Sequence, residues 1–120
     1  MGFSEKFSFE NLRVYQDALA FSKQIYKATK KFPKDELFAL TSQIRRAATS
    51  ISLNIAEGSS LTKSEFKNFL RRARGSTYEC VTILHLALDN GYISEKEQKK
   101  MYEDCQKLAK SISALINSMK

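Results

Sequence analysis

The 120-residue chain holds few side chains of the kind that do covalent chemistry, and their spacing keeps them apart. His85 is its single histidine, so coordination of a metal by two histidines of one chain is excluded. Cys80 stands five residues before it, about 140° around a helix, where thiolate and imidazole cannot pair. Cys105 lacks any partner at metal-ligand spacing, and two cysteines are too few for a disulfide framework. Gly2, Gly58, Gly75 and Gly91 are isolated, which leaves no glycine-rich loop to cradle a phosphate. Glu57, Glu65 and Glu79 are the carboxylates able to approach one another, but glutamates inside helices ordinarily pair with arginines such as Arg45, Arg46 or Arg72. The expectation is a protein with no catalytic residues, no metal and no cofactor, and therefore not an enzyme.

The basic residues are better organised. Twenty Lys and Arg against thirteen Asp and Glu give a net charge of +7, which favours a polyanionic partner. Lys23, Lys27, Lys30 and Lys31 fall within about 100° on one helical projection, with Lys34 just beyond and no acid between Lys23 and Lys34. Lys63, Lys67, Arg71 and Arg74 form a second stripe, interrupted only by Glu65. Lys96, Lys99, Lys100, Lys107 and Lys110 are diluted by Glu95, Glu97, Glu103 and Asp104, and read as a solvated face. The first two stripes suit sequence-nonspecific phosphate contacts with RNA or DNA. Most phenylalanines fall on core stripes, so no exposed aromatic platform for base stacking is expected. In the alternative reading the lysines only keep the chain soluble, and the protein is a protein-binding oligomeric scaffold.

Four periodic stretches must position these residues. The first runs from about Asn11 to Lys31, with Val14, Ala18, Phe21, Ile25, Ala28 and Phe32 in steps of four and three, and stops at Pro33. The second runs from about Asp35 to Glu57 and carries Leu37, Leu40, Ile44, Ala47, Ala48, Ile51 and Ile55, with Gly58 as a left-handed C-cap. The third opens on the capping box Thr62-Lys63-Ser64-Glu65, presents Phe66, Leu70, Ala73, Thr77, Cys80, Leu84 and Ala87, and ends at Asn90-Gly91. The fourth opens on a second box, Ser94-Glu95-Lys96-Glu97, and carries Met101, Cys105, Leu108, Ile112, Leu115 and Met119. Short connections force consecutive helices to run antiparallel. The pattern predicts an all-α, up-down-up-down four-helix bundle, one domain over residues 1–120 with a short lead at 1–10. The lead has no signal-peptide pattern, and no apolar run approaches the roughly 20 residues of a membrane span. A reduced, cytoplasmic chain with no membrane role is expected.

The helices carry more apolar surface than one bundle needs. Leu12, Tyr15, Leu19 and Tyr26 form a second face on the first helix, about 130° from its core stripe. Leu53 points away from the core stripe of the second, and Val81 to Leu88, including Ile83 and Leu86, are apolar almost all round. Such a set predicts a homo-oligomer joined through these residues. Gly75, inside the third helix, is expected to permit close backbone contact.

The run Gln43-Ile44-Arg45-Arg46-Ala47-Ala48-Thr49-Ser50-Ile51-Ser52-Leu53-Asn54-Ile55-Ala56-Glu57-Gly58 resembles the signature of four-helix-bundle proteins encoded in intervening sequences of bacterial 23S ribosomal RNA genes. Leu12-Arg13-Val14-Tyr15-Gln16, Phe32-Pro33, Ser64-Glu65-Phe66, Phe69-Leu70, Ala73-Arg74-Gly75-Ser76 and Gly91-Tyr92 match further, so the resemblance spans about Phe9 to Ile93. Tyr15 departs from the family's usual Trp, Cys80 from a common Leu, and Leu61 from a frequent Arg. The accessory variability protein of diversity-generating retroelements is similar to this family. The resemblance therefore implies a basic homopentamer with nucleic acid and a reverse transcriptase as partners.

Overall fold

The computed structural model describes residues 6–119; residues 1–5 of the expected lead lie outside the described residues. Among the described residues four α-helices follow one another: α1 (Arg13–Thr29), α2 (Leu40–Ser59), α3 (Lys63–Asp89) and α4 (Glu95–Ser118). Short 3-10 turns at Ser8–Asn11 and Lys34–Glu36 precede α1 and α2. Among the described residues there is no strand. Each helix packs on its neighbour in sequence and α4 returns to α1, closing a ring of four around one core. The α2–α3 contact is the most extensive of the four and the α1–α4 contact the sparest.

The core is the set of residues that the spacing of four and three selects. Ala18, Ile25, Ile44, Ala48, Ile51, Ile55, Leu70, Ala73, Cys80, Ala87 and Ile112 are wholly buried. Polar groups taken inside are mostly satisfied within their own helices: Thr77 donates to the Ala73 carbonyl at 3.0 Å and Thr29 to that of Ile25 at 2.8 Å. Both expected capping boxes form. Thr62 Oγ1 accepts from the Glu65 N–H at 3.2 Å and Ser94 Oγ from the Glu97 N–H at 3.1 Å, each typically contributing about 1 kcal/mol. No helix among the described residues is long and apolar enough to cross a membrane.

Three expectations are corrected. The second helix starts at Leu40 rather than Asp35, because Pro33 launches a chain of i to i+3 bonds instead. Glu36 N–H donates to Pro33, Leu37 N–H to Lys34, and Ala39 N–H to Glu36. Ala39, at φ −124° and ψ −105°, then breaks the helical path, and Leu37 is left 46% exposed rather than in the core. Gly58 is no left-handed cap. It lies buried within α2, and among the described residues only Gly91 has a positive φ, at 74°. A Cβ on Gly58 would stand 2.6 Å from Phe69 Cβ and 3.0 Å from Phe66 Cδ1, so close approach of α3 is what requires the glycine. Gly75 has the reverse outcome: a Cβ there meets nothing within 4 Å.

Candidate nucleic-acid interface

The sparing contact between α1 and α4 leaves a seam with two clefts along it. The larger, about 410 Å³, is walled by Lys27 of α1 and Lys31 just beyond its end, and by Lys96 and Lys100 of α4, over a floor that includes Ala28 and Met101. The second, about 280 Å³, continues the seam past Gln24 to Arg13, Asp17, Asp104 and Lys107. Lys27 of α1 and Lys96, Lys100 and Lys107 of α4 reach this seam from beside the stripes that each helix buries in the core.

Ion pairs neutralise part of the seam. Lys31 is bonded to Glu97, Arg13 to Asp17 at 3.3 Å and Lys100 to Asp104 at 2.7 Å. The Lys31 contact, followed by a backbone bond from Ser94, holds the Glu97 carboxyl below its usual range. Lys27, Lys96 and Lys107 make no ion pair among the described residues. The seam therefore presents a surplus of cations on both walls, and lysine stems supply flexible reach to an anion lying between them.

The four lysines of the first stripe divide. Lys27 and Lys31 face α4, Lys23 is exposed, and Lys30 turns to a small cleft at the α1–α2 connection. The second stripe lies elsewhere. Lys63 is exposed and Lys67 half-buried, Arg71 donates to Asn68 Oδ1 at 2.9 Å, and Arg74 donates to Ser113 Oγ at 2.8 Å. Ser113 is near the C-terminal end of α4, whereas Glu97, which holds Lys31, is near its start. The two stripes thus border different flanks and opposite ends of α4, and do not form one surface. Lys96, Lys100 and Lys107, read from sequence as a solvated face, are the cations that complete the seam. Their spacing of four and seven confines them to about 40° of helix, which is the signal that could have found them.

The apolar residues assigned to an oligomer interface also divide. Leu19 is 46% exposed, Tyr26 44%, Leu53 61% and Leu86 45%. Leu12 and Tyr15 pack partly against the chain's own core, Tyr15 edge-on to Phe9. Ile83 is corrected outright: at 2% exposure it belongs to the core, because the long α2–α3 contact buries a wider strip of α3 than one core stripe.

The remaining chemistry-bearing groups are placed without convergence. Among the described residues no group of three or more His, Cys, Asp and Glu is disposed to hold a metal ion. Burial pushes the Cys80 thiol far up, aided by Cys105 and Glu79, and raises Cys105 to about 12. His85 packs against Tyr102 with the rings tilted by 56° and their centroids 5.9 Å apart. Arg45 and Arg72 lie over the rings of Tyr26 and Phe69 rather than pairing with Glu57 or Glu79. Glu65 serves its capping box, whose hydrogen bonds from Thr62 lower its pKa.

No curated protein sequence matches the chain. The bundle is similar to the crystal structure of a protein of unknown function from the S23 ribosomal protein family of Bacteroides thetaiotaomicron, with a TM-score of 0.80 and 26% identity. That likeness covers 86% of this chain and 97% of the other. The family model described as 23S rRNA-intervening sequence protein matches residues 10–114, which extends the resemblance seen in the sequence through most of α4. With the helices, the order of packing and the matched span in agreement, the chain belongs to the 23S rRNA-intervening sequence protein family.

Proposed function

We propose that this protein is a non-enzymatic accessory factor that binds RNA or DNA through nonspecific phosphate contacts along the α1–α4 seam. The observation that carries the reading is the opposition of Lys27 and Lys31 to Lys96 and Lys100 across one open cleft. Two cationic walls around a groove focus potential on whatever lies between them, and the chain's +7 charge adds a long-range attraction. Binding that engages Lys27, Lys96 and Lys107 releases about three counterions, so log K should fall against log salt with a slope steeper by about 3 than in their absence. Replacing the three with Gln and titrating labelled duplex and single-stranded probes at several salt concentrations tests this. Loss of that slope is expected, and an unchanged slope with the fold intact refutes the seam as the binding surface.

A second reading is favoured by Leu53, 61% exposed on the outward side of α2, together with Leu19, Tyr26 and Leu86. These support self-association of the bundle as a scaffold, with a pentamer implied only by the family resemblance. A ring would repeat the seam and raise avidity without new contacts. Light scattering of the protein and its Leu53→Lys variant separates this from a monomer.

A further inference from the structure

The α1–α2 connection holds features that neither the core nor the seam uses. A cleft of about 150 Å³ is lined there by Lys30, Lys34, Leu37, Thr41 and Arg45, with no acid in its lining. Lys30 and Lys34 are exposed and make no ion pair among the described residues. Arg45 is held in place: its Nε donates to Thr29 Oγ1 at 2.8 Å and its guanidinium lies 4.8 Å from the Tyr26 ring centre. Among the described residues neither Nη group is bonded or ion-paired, which leaves both to a ligand. Thr41 is only 3% exposed, yet its Oγ1 has no hydrogen-bond partner among the described residues. A buried hydroxyl left unpaired is a standing cost that a bound acceptor would relieve.

Charge and backbone point the same way. Thr41 stands in the first turn of α2, where the N-cap residue Ala39 offers no side-chain cap. Among the described residues the Thr41 and Ser42 N–H groups have no backbone partner, so the positive end of the helix opens beside the cations. The two acids of the turn, Asp35 and Glu36, do not line the cleft, and Glu36 is turned to the Tyr92 hydroxyl at 2.7 Å and the Leu40 N–H at 3.4 Å. Next to Leu37, Phe38 is 93% exposed. This corrects the expectation that no aromatic platform interleaves with the basic residues. Phe38 does not itself line the cleft, but it follows Leu37, which does. An exposed ring one residue from a cationic cleft offers what single strands use, backbone charge met by lysine and arginine and a base laid on the ring.

We propose that this turn binds one nucleotide of single-stranded RNA or DNA, with its phosphate in the Lys30–Lys34–Arg45 cleft against Thr41 and its unpaired base stacked on Phe38. The proposal rests on the nucleic-acid reading above and narrows it to unpaired strands. Bases in a duplex are already stacked and gain nothing from the ring, whereas phosphates on the seam attract either form.

The experiment compares single-stranded and duplex probes of about 12 nucleotides, a length within the usual site size for strand binders. Phe38→Ala should weaken single-strand binding about 10-fold and leave duplex binding unchanged. The chain contains no Trp, so Phe38→Trp places a unique fluorophore at the contact. It should retain affinity and be quenched by the single strand but not by the duplex. Thr41→Val removes the orphan hydroxyl at constant shape. It should weaken single-strand binding several-fold while melting no lower than the parent. Wild-type affinity in Phe38→Ala, with binding still lost in the Lys27/Lys96/Lys107 variant, overturns the stacking site and spares the seam. Binding of neither probe by the parent overturns both. A free nucleoside monophosphate that competes as well as the strand reassigns the cleft to a small ligand and overturns strand recognition.

Discussion

Replacing glycine by alanine at position 58 and at position 75 should move stability in opposite directions, although both residues lie inside helices. The helix-propensity gain is common to the two, about 1 kcal/mol. At Gly75 nothing offsets it, because a Cβ there meets no atom within 4 Å. Gly75→Ala should therefore raise the melting temperature by about 4 °C for a domain of this size. At Gly58 the new Cβ would stand 2.6 Å from Phe69 Cβ and 3.2 Å from its Cγ. Phe69 Cβ cannot swing aside, since it is fixed to the α3 backbone and its ring already carries the Arg72 guanidinium at 4.6 Å. The helices must separate along their longest contact, and overpacking of this kind costs about 1 to 3 kcal/mol. With the upper part of that range set against the propensity gain, Gly58→Ala should lose about 2 kcal/mol and about 8 °C. Urea titrations followed by circular dichroism would give both differences in free energy. A Gly58→Ala protein as stable as its parent would show that the α2–α3 approach does not fix this glycine, and the packing account would fall.

Acid should destabilise the bundle partly through Glu97. Its folded pKa is depressed, so its contribution is complete above the ordinary value of 4.5 and is lost as pH falls through the folded value. Melting curves between about pH 3 and 6 should show a shallower decline in Glu97→Gln than in the parent, and an identical decline would refute the linkage. Cys80 and Cys105 should resist a thiol reagent in the native protein, since burial raises both pKa values, and should both react on unfolding. Rapid native labelling of either would contradict their place in the core.

The fold was legible because core positions, caps and helix ends are local signals that agree. Val14, Ala18, Phe21 and Ile25 are buried where their spacing puts them, and Thr62 and Ser94 cap where their boxes predict. The segment from Lys34 to Ala39 was not legible. Its apolar Leu37 fits the periodicity of α2, but whether a helix begins at Asp35 or Leu40 depends on the i to i+3 turn that Pro33 starts. The role of Gly58 was hidden for a related reason. A glycine near a helix end reads as a cap, and only the position of Phe69 on another helix shows that it is a contact.

The cationic seam was half legible, and the missing half is the share that α4 contributes. Reading charge along that helix averages over its circumference, so Glu95, Glu97, Glu103 and Asp104 cancel the lysines. In three dimensions the charges are not averaged. Lys96, Lys100 and Lys107 line the α1 side, where Glu97 and Asp104 are taken up by Lys31 and Lys100. Lys27 and Lys96 are far apart in sequence, and no spacing rule within one helix brings them together. What does so is the antiparallel return of α4 onto α1. The looseness of that last contact, in turn, is what leaves the cations a cleft to face instead of a packed interface to cover.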